Sequence, residues 1–204
     1  MKKCLLLGLF LSSIFTLQAQ ELFFHIGKNL TSYEYKNYEL VNVDLQNDIG
    51  FNYEVGFISA KESNNPLFFS GSAVINEYNA SGSTSGTAME WKTSYLGVKG
   101  AIYHTLFQNT YNNLAFKVGF GAESIVYGRQ KINSDQMNLV GQKEFSGIFA
   151  GPGIGLLYRY VINTDFALQL AYNYDKRFNL SNKGQEKLAF NNHSLNVGFS
   201  VKID

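Results

Sequence analysis

Cysteine is nearly absent. The single thiol is Cys4, so no disulfide within the chain and no thiolate metal cluster can be built. Two prolines in 204 residues exclude proline-rich linkers, and 19 glycines are far too few for collagen. Charge is sparse as well: Lys plus Arg number 17 and Asp plus Glu 16, a formal net charge of +1. Proteins that grip nucleic acid through its phosphates carry a clear basic excess, so no nucleic-acid partner is expected. What the chain does have is 45% hydrophobic and 15% aromatic residues, too apolar a composition for disorder. At this length one domain is expected, or at most two.

Lys2 and Lys3 precede an uncharged stretch from Leu5 to Leu17, and Ala19 supplies a small residue before Gln20. This is the layout of a secretory signal peptide over residues 1–19. Ser12, Ser13 and Thr16 interrupt a stretch already shorter than the ~20 apolar residues of a membrane-spanning helix. Cys4 comes before the apolar stretch, whereas a lipid-bearing cysteine follows it. Cleavage after Ala19 leaves residues 20–204, with 15 basic and 16 acidic side chains and no cysteine. An exported chain without disulfides must be held together by other means. No later stretch approaches 18 consecutive apolar residues, so no helical anchor is expected.

The strongest pattern is alternation. Leu195, Val197, Phe199, Val201 and Ile203 alternate with Ser194, Asn196, Gly198, Ser200 and Lys202. The same period of two runs through Phe166–Asp175, Leu114–Glu123 and Ile49–Phe57. Side chains on a strand point to opposite faces in turn, so each segment predicts a strand with one apolar face. Looser alternation predicts four more, around Leu22–Ile26, Leu67–Tyr78, Leu96–Tyr103 and Ile148–Arg159. Pro152 falls inside the last of these and cannot donate to a ladder, so a bulge or break is expected there.

Eight strands fit eight membrane crossings of ~9–11 residues each. The intervening segments Thr31–Gln46, Asn79–Ala88, Gly128–Glu144 and Lys176–Ala189 read as long polar loops; Lys61–Pro66 and Val161–Asp165 read as short turns, with His104–Asn113 intermediate. Long loops at one end and short turns at the other characterise an outer-membrane barrel. A soluble lipocalin-like carrier also alternates, but its apolar residues face inward and its outside is charged. The polar faces here carry Glu54, Lys99, Lys117, Glu123, Arg159, Gln169 and Asn173, diluted by Gly119, Gly121, Gly151, Gly153 and Gly155. Such a face suits the narrow lumen of an eight-stranded barrel better than a soluble exterior. Tyr127, Tyr158, Tyr160, Tyr172 and Tyr174 are expected in the aromatic girdles at the membrane interfaces. The expected fold is therefore all-β: an eight-stranded antiparallel up-and-down transmembrane β-barrel, apolar side out.

Three segments, Tyr95-Leu96-Gly97-Val98-Lys99-Gly100, Phe149-Ala150-Gly151-Pro152-Gly153 and the final strand Leu195–Ile203, carry a family likeness. The chain resembles the small outer-membrane β-barrel proteins of Gram-negative bacteria, the porin-family grouping with barrels of OmpA- and OmpX-like size. The resemblance implies a place in the cell outer membrane, surrounded by lipid, with both termini on the periplasmic side and no cofactor. Such barrels commonly end on an aromatic residue; Val201-Lys202-Ile203-Asp204 departs from that pattern.

Catalytic patterns are weak. His193 and Ser194 are adjacent, so on a strand they point to opposite faces and cannot share the hydrogen bond that nucleophilic catalysis needs. The deacylase-type spacing of His and Ser, one residue apart, is missing, and no enzyme is expected. Gly151-Pro152-Gly153-Ile154-Gly155 lacks the spacing and the following helix of a phosphate loop. His25 and His193 fall on the first and last strands, neighbours in a closed barrel; polar residues near the interface are expected there, not a metal pair. Glu54, Lys99, Lys117, Glu123 and Arg159 are expected to form a polar network in a closed or nearly closed lumen, because unpaired charges away from water are costly. A narrow channel, or a small subunit of a larger assembly, is the alternative. The loops remain as binding surface for other envelope proteins, with Tyr33, Tyr35, Tyr38 and Arg177 as candidate contacts. Ser81-Gly82-Ser83-Thr84-Ser85-Gly86 reads as flexible linker.

Overall fold

The computed structural model describes residues 19–36, 42–43, 45–59, 65–84, 87–181 and 187–203. Ten strands follow one another: β1 (Ala19–Lys36), β2 (Asn42–Val43), β3 (Gln46–Ser59), β4 (Leu67–Thr84), β5 (Thr87–Gln108), β6 (Asn112–Ile132), β7 (Asp135–Asn138), β8 (Ile148–Val161), β9 (Phe166–Asn179) and β10 (Lys187–Lys202). Among the described residues there is no helix. Of the expected signal peptide only Ala19 falls within them, as the first residue of β1.

Eight long strands pair antiparallel in chain order, and β1 pairs with β10 from Glu21↔Lys202 to Lys36↔Lys187, which seals the barrel. The two short strands extend it: β2 pairs with the end of β1, and β7 with the end of β6. Paired residues trace a path around the wall from Phe24 through Val55, Ala73, Val98, Ala122, Ala150, Phe178 and Ala189 to Glu34. The path returns to β1 ten residues farther along, a shear of ten over eight strands. That stagger tilts the strands by roughly 35–45° and leaves an interior that side chains can fill.

The faces follow the alternation. Leu195, Val197 and Phe199 are 57%, 56% and 40% exposed, while Ser194, Asn196 and Ser200 between them are buried. Apolar side chains therefore face outward, opposite to a lipocalin. In lipid every backbone donor and acceptor must be paired within the protein, and a closed cylinder achieves this. At the end where β1 starts and β10 stops, the turns are short. Asn109 Oδ1 accepts from the amides of Tyr111 and Asn112, and Asn163 Oδ1 from those of Asp165 and Phe166, the side-chain-to-backbone bonding that makes asparagine a turn residue. Phe57, Phe69, Phe107, Tyr158 and Tyr160 surround this end as exposed aromatics. Tyr172 and Tyr174 instead lie within β9, opposite Leu195 and His193.

At the other end the expected long loops are largely sheet. β5 and β6 run for 22 and 21 residues, about twice what a crossing needs. Ser81–Thr84, read as linker, pairs residue by residue with Thr87–Glu90; Ser85 and Gly86 lie outside the described residues. β6 continues to Ile132, turns through Asn133 at φ 53°, and returns as β7. This sheet lies beyond the apolar outer belt, where alternation is lost, so its polar sequence looks like loop.

At Pro152 the expected break is present, on one side of the strand only. The register between β6 and β8 runs unshifted from Asn112↔Tyr160 to Ser124↔Ile148, through Phe120↔Pro152. On the β9 side the pairs at Gly151 and Pro152 are missing, yet Ala150↔Phe178 and Gly153↔Asp175 keep one register. There is no bulge, only a gap in one ladder.

Candidate functional site

The gap beside Pro152 is filled by a side chain. Arg177 is 1% exposed, and its Nη1 donates to the carbonyls of Gly151 (2.8 Å), Pro152 (3.2 Å) and Lys176 (3.2 Å). Its Nη2 donates to Asp175 Oδ1 at 2.9 Å, and Nε lies 3.8 Å from Glu123 Oε1. Proposed from sequence as a loop contact, Arg177 lies within β9 at the middle of the lumen.

Around it the polar belt assembles. Glu123 accepts from Tyr78 Oη (2.6 Å) and Asn76 Nδ2 (2.7 Å). Lys99 Nζ donates to Asp175 Oδ2 at 3.1 Å. Glu54 accepts from Ser72 Oγ at 2.6 Å and lies 3.9 Å from His25 Nδ1. Lys117 sits 5.7 Å from the centre of the Tyr103 ring and, with Lys99, Asn173, Asp175 and Arg177, borders a cavity of about 10 Å³, room for a single water. Three buried carboxylates (Glu54, Glu123, Asp175) thus face three buried cations (Lys99, Lys117, Arg177). Charge balance of this kind is what low-dielectric surroundings demand. Arg159 lies apart, at the short-turn mouth, where it pairs with Glu21 and reaches Ser200 Oγ at 3.4 Å.

The structure thus brings Glu54, Lys99, Lys117 and Glu123 into one belt and adds Asp175, which alternation puts on the inward face without naming it in the network, and Asn76, Tyr78 and Arg177, which sequence reasoning did not place there. The signal was available in Asp175 and Arg177: two residues apart on one strand, they share a face.

Apolar layers lie above and below the belt, where a sparse hydrophilic interior was expected. Toward the short turns Phe23, Ile58, Phe68, Tyr103 and Leu157 pack together, with Phe68 stacked on Tyr103 at 4.6 Å. Toward the raised sheet Tyr33, Tyr78, Trp91, Tyr95, Phe145, Phe149 and Phe190 form an aromatic plug. Phe190 contacts four of its rings at 4.7–5.4 Å. Tyr33, expected on a loop, is 5% exposed in this plug, with its hydroxyl donating to Tyr78 O at 2.8 Å. Tyr35 packs edge-on against Trp91 at 5.6 Å, and Tyr38 lies outside the described residues.

His25 and His193 do not meet. His25 points into the lumen and contacts Gln169 Oε1 at 2.6 Å, whereas His193 is on the outer surface, 2.8 Å from Tyr172 Oη. Ser194, next to it, is buried on the lumen side.

No family model matches the chain, and no curated protein matches it significantly. Solved structures do. A major outer membrane protein from Thermus thermophilus superposes with a TM-score of 0.51 at 11% identity, over 89% of this chain and 99% of that one. Ail, the attachment invasion locus protein of Yersinia pestis, gives 0.45 at 16% identity over 90% and 99%. Neisserial surface protein A gives 0.47 at 11% identity over 89% and 97%. At such identities the likeness concerns the fold. The chain folds as a small outer-membrane β-barrel, and its apolar exterior is the surface such a barrel presents to the membrane it spans.

Proposed function

We propose that this protein is an integral outer-membrane barrel with a structural or surface-binding role, its lumen closed to bulk flow and its outward sheet the interaction surface. One observation carries the proposal: an apolar layer, a charge-balanced belt and an aromatic plug lie across the lumen, while β4–β7 continue beyond the crossing as sheet. A cylinder crossed by three such layers leaves transport little room. A rigid sheet held above the membrane is suited to display residues for recognition. The polar edge at β7, with Arg129 Nη1 donating to Gln136 Oε1 at 3.4 Å, lies on that surface.

The signal peptide, the periplasmic position of both termini and the absence of catalysis belong to the same reading. Two experiments test it. After cell fractionation the protein should resist extraction until detergent dissolves the outer membrane; release with the soluble periplasmic fraction would refute the membrane role. In planar bilayers the inserted barrel should show no large steady conductance, and a stable open level would point to a channel instead.

A further inference from the structure

On the outer surface of three consecutive strands, at the level where the apolar belt gives way to polar residues, stand three basic groups. We propose that Lys28, His193 and Lys176 form a seat for the anionic phosphate of a lipid in the outer leaflet. This inference rests on the outer-membrane reading above.

Lys28 on β1 is exposed on the lipid face between Ile26 and Leu30, and its pairing partners across the wall are Phe51 and Leu195. Its neighbours along β1 and across the two ladders are thus apolar, and the Glu77 carboxylate stands one strand farther on, 3.2 Å from the Phe51 amide. Among the described residues no hydrogen bond or ion pair reaches it. A lysine on the lipid face is tolerated near an interface far better than at mid-bilayer, and a phosphate there gives it a partner.

The register supplies neighbours. Lys28 pairs with Leu195, and His193 is two residues farther along β10; His193 pairs with Tyr174, and Lys176 is two residues farther along β9. Diagonal neighbours of this kind lie ~7–8 Å apart, within reach of long side chains. With a shear of ten over eight strands, level neighbours are displaced by a little over one residue per strand. Steps of two residues therefore keep the three groups nearly level around the barrel, as a headgroup plane requires.

The remaining contacts suit the same ligand. Tyr172 Oη lies 2.8 Å from His193 Nδ1, and the Tyr174 ring is 4.9 Å from the imidazole. With the tyrosine hydroxyl donating, Nε2 is left as a hydrogen donor for an anionic oxygen. Lys176 is held by Glu34 Oε1 at 3.1 Å, a carboxylate that also accepts from Asn191 Nδ2 at 2.5 Å. Glu34 offsets one charge of the row, so the excess positive charge comes from Lys28. Below the row Ile26, Leu195 and Tyr172 offer acyl chains an apolar wall.

The test uses the full chain inserted into phosphatidylcholine vesicles containing diphosphorylated lipid A, with the dephosphorylated form as comparison. Native mass spectrometry after mild detergent extraction counts retained lipid. The wild-type barrel should keep lipid A and release the dephosphorylated form. Lys28→Met should lower retention about fivefold, the equivalent of the ~1 kcal/mol that one lysine contributes at an anionic surface. Lys131→Met, on the raised sheet, should retain as the wild type does. Equal retention by Lys28→Met, an equal loss in Lys131→Met, indifference to the lipid's phosphates, or displacement by inorganic phosphate in the wash would each overturn the seat. Heat-modifiable migration scores insertion separately. Chains that never insert refute the outer-membrane reading, whereas inserted wild-type barrels that hold no lipid A refute the seat alone. Lys28→Met puts an apolar chain on a lipid-facing site, so its folding is not at risk.

Discussion

Arg177 and Gly121 share one space: a Cβ placed on Gly121 would stand 2.7 Å from Arg177 Nη2 and 3.1 Å from Lys99 Cγ. The bare backbone on β6 is what lets a guanidinium lie flat against the wall and reach the gap left by Pro152 on β8.

Filling that space should therefore be costly. Gly121→Leu is expected to lower stability by about 1–3 kcal/mol, the usual penalty of overpacking, read from denaturant unfolding in vesicles. Gly71→Ala is the comparison, because a Cβ at Gly71 meets nothing within 4 Å. It should be neutral or slightly stabilising, since alanine surrenders less freedom than glycine on folding.

Removing the guanidinium should cost more. Arg177→Met leaves Asp175 short of a partner and takes a donor away from three carbonyls, for an expected loss of about 3–5 kcal/mol. Arg177→Lys should recover only a small part, because a single ammonium cannot span the fork of contacts. Full rescue by lysine would show that the charge alone matters.

The facing of β10 can be checked at two positions. Val197 lies outward near the middle of the apolar belt and Ser200 inward. Val197→Arg should cost about 2–4 kcal/mol in a bilayer. Ser200→Ala, which loses only a 3.4 Å contact to Arg159, should cost about 1 kcal/mol or less. Equal losses would contradict the assignment.

Above the membrane, Lys92 bonds Glu90 at 2.7 Å and holds its carboxyl below the usual carboxylate range. A lowered folded pKa stabilises at pH values above the unfolded one, and the benefit disappears as pH falls through the folded value. Both side chains are well exposed, so Glu90→Gln should cost only a few tenths of a kcal/mol at neutral pH. That difference should vanish when unfolding is repeated in acid below the carboxylate range.

Much of this architecture was legible in the residues. Ile49–Phe57, Leu114–Glu123, Phe166–Asp175 and Leu195–Ile203 alternate because lipid presses on one face and a crowded lumen on the other. The pattern fails where one of those pressures stops. Beyond the bilayer Ser81–Thr84 needs no apolar side, and it forms strand by pairing with β5. Inside the plug Tyr95, Phe149 and Phe190 face inward although they are as apolar as the outer residues. Alternation alone cannot tell which aromatic looks at lipid. Lys176 and Arg177 read as the start of a charged loop because adjacent charges look like solvated chain. On a strand they part, one to the interface and the other to the core. The role of Pro152 depended on Arg177, 25 residues away, a relationship no local pattern contains.

The seam between β1 and β10 joins Glu21 to Lys202, nearly the whole length of the chain apart. Contacts so distant in sequence make for slow folding, since the entropy of bringing the ends together is lost before the pairing repays it. Until that meeting occurs, the first and last strands each present an unpaired edge on which another unfinished copy could template. An envelope that makes this protein must therefore keep its immature chains apart until the two ends have met.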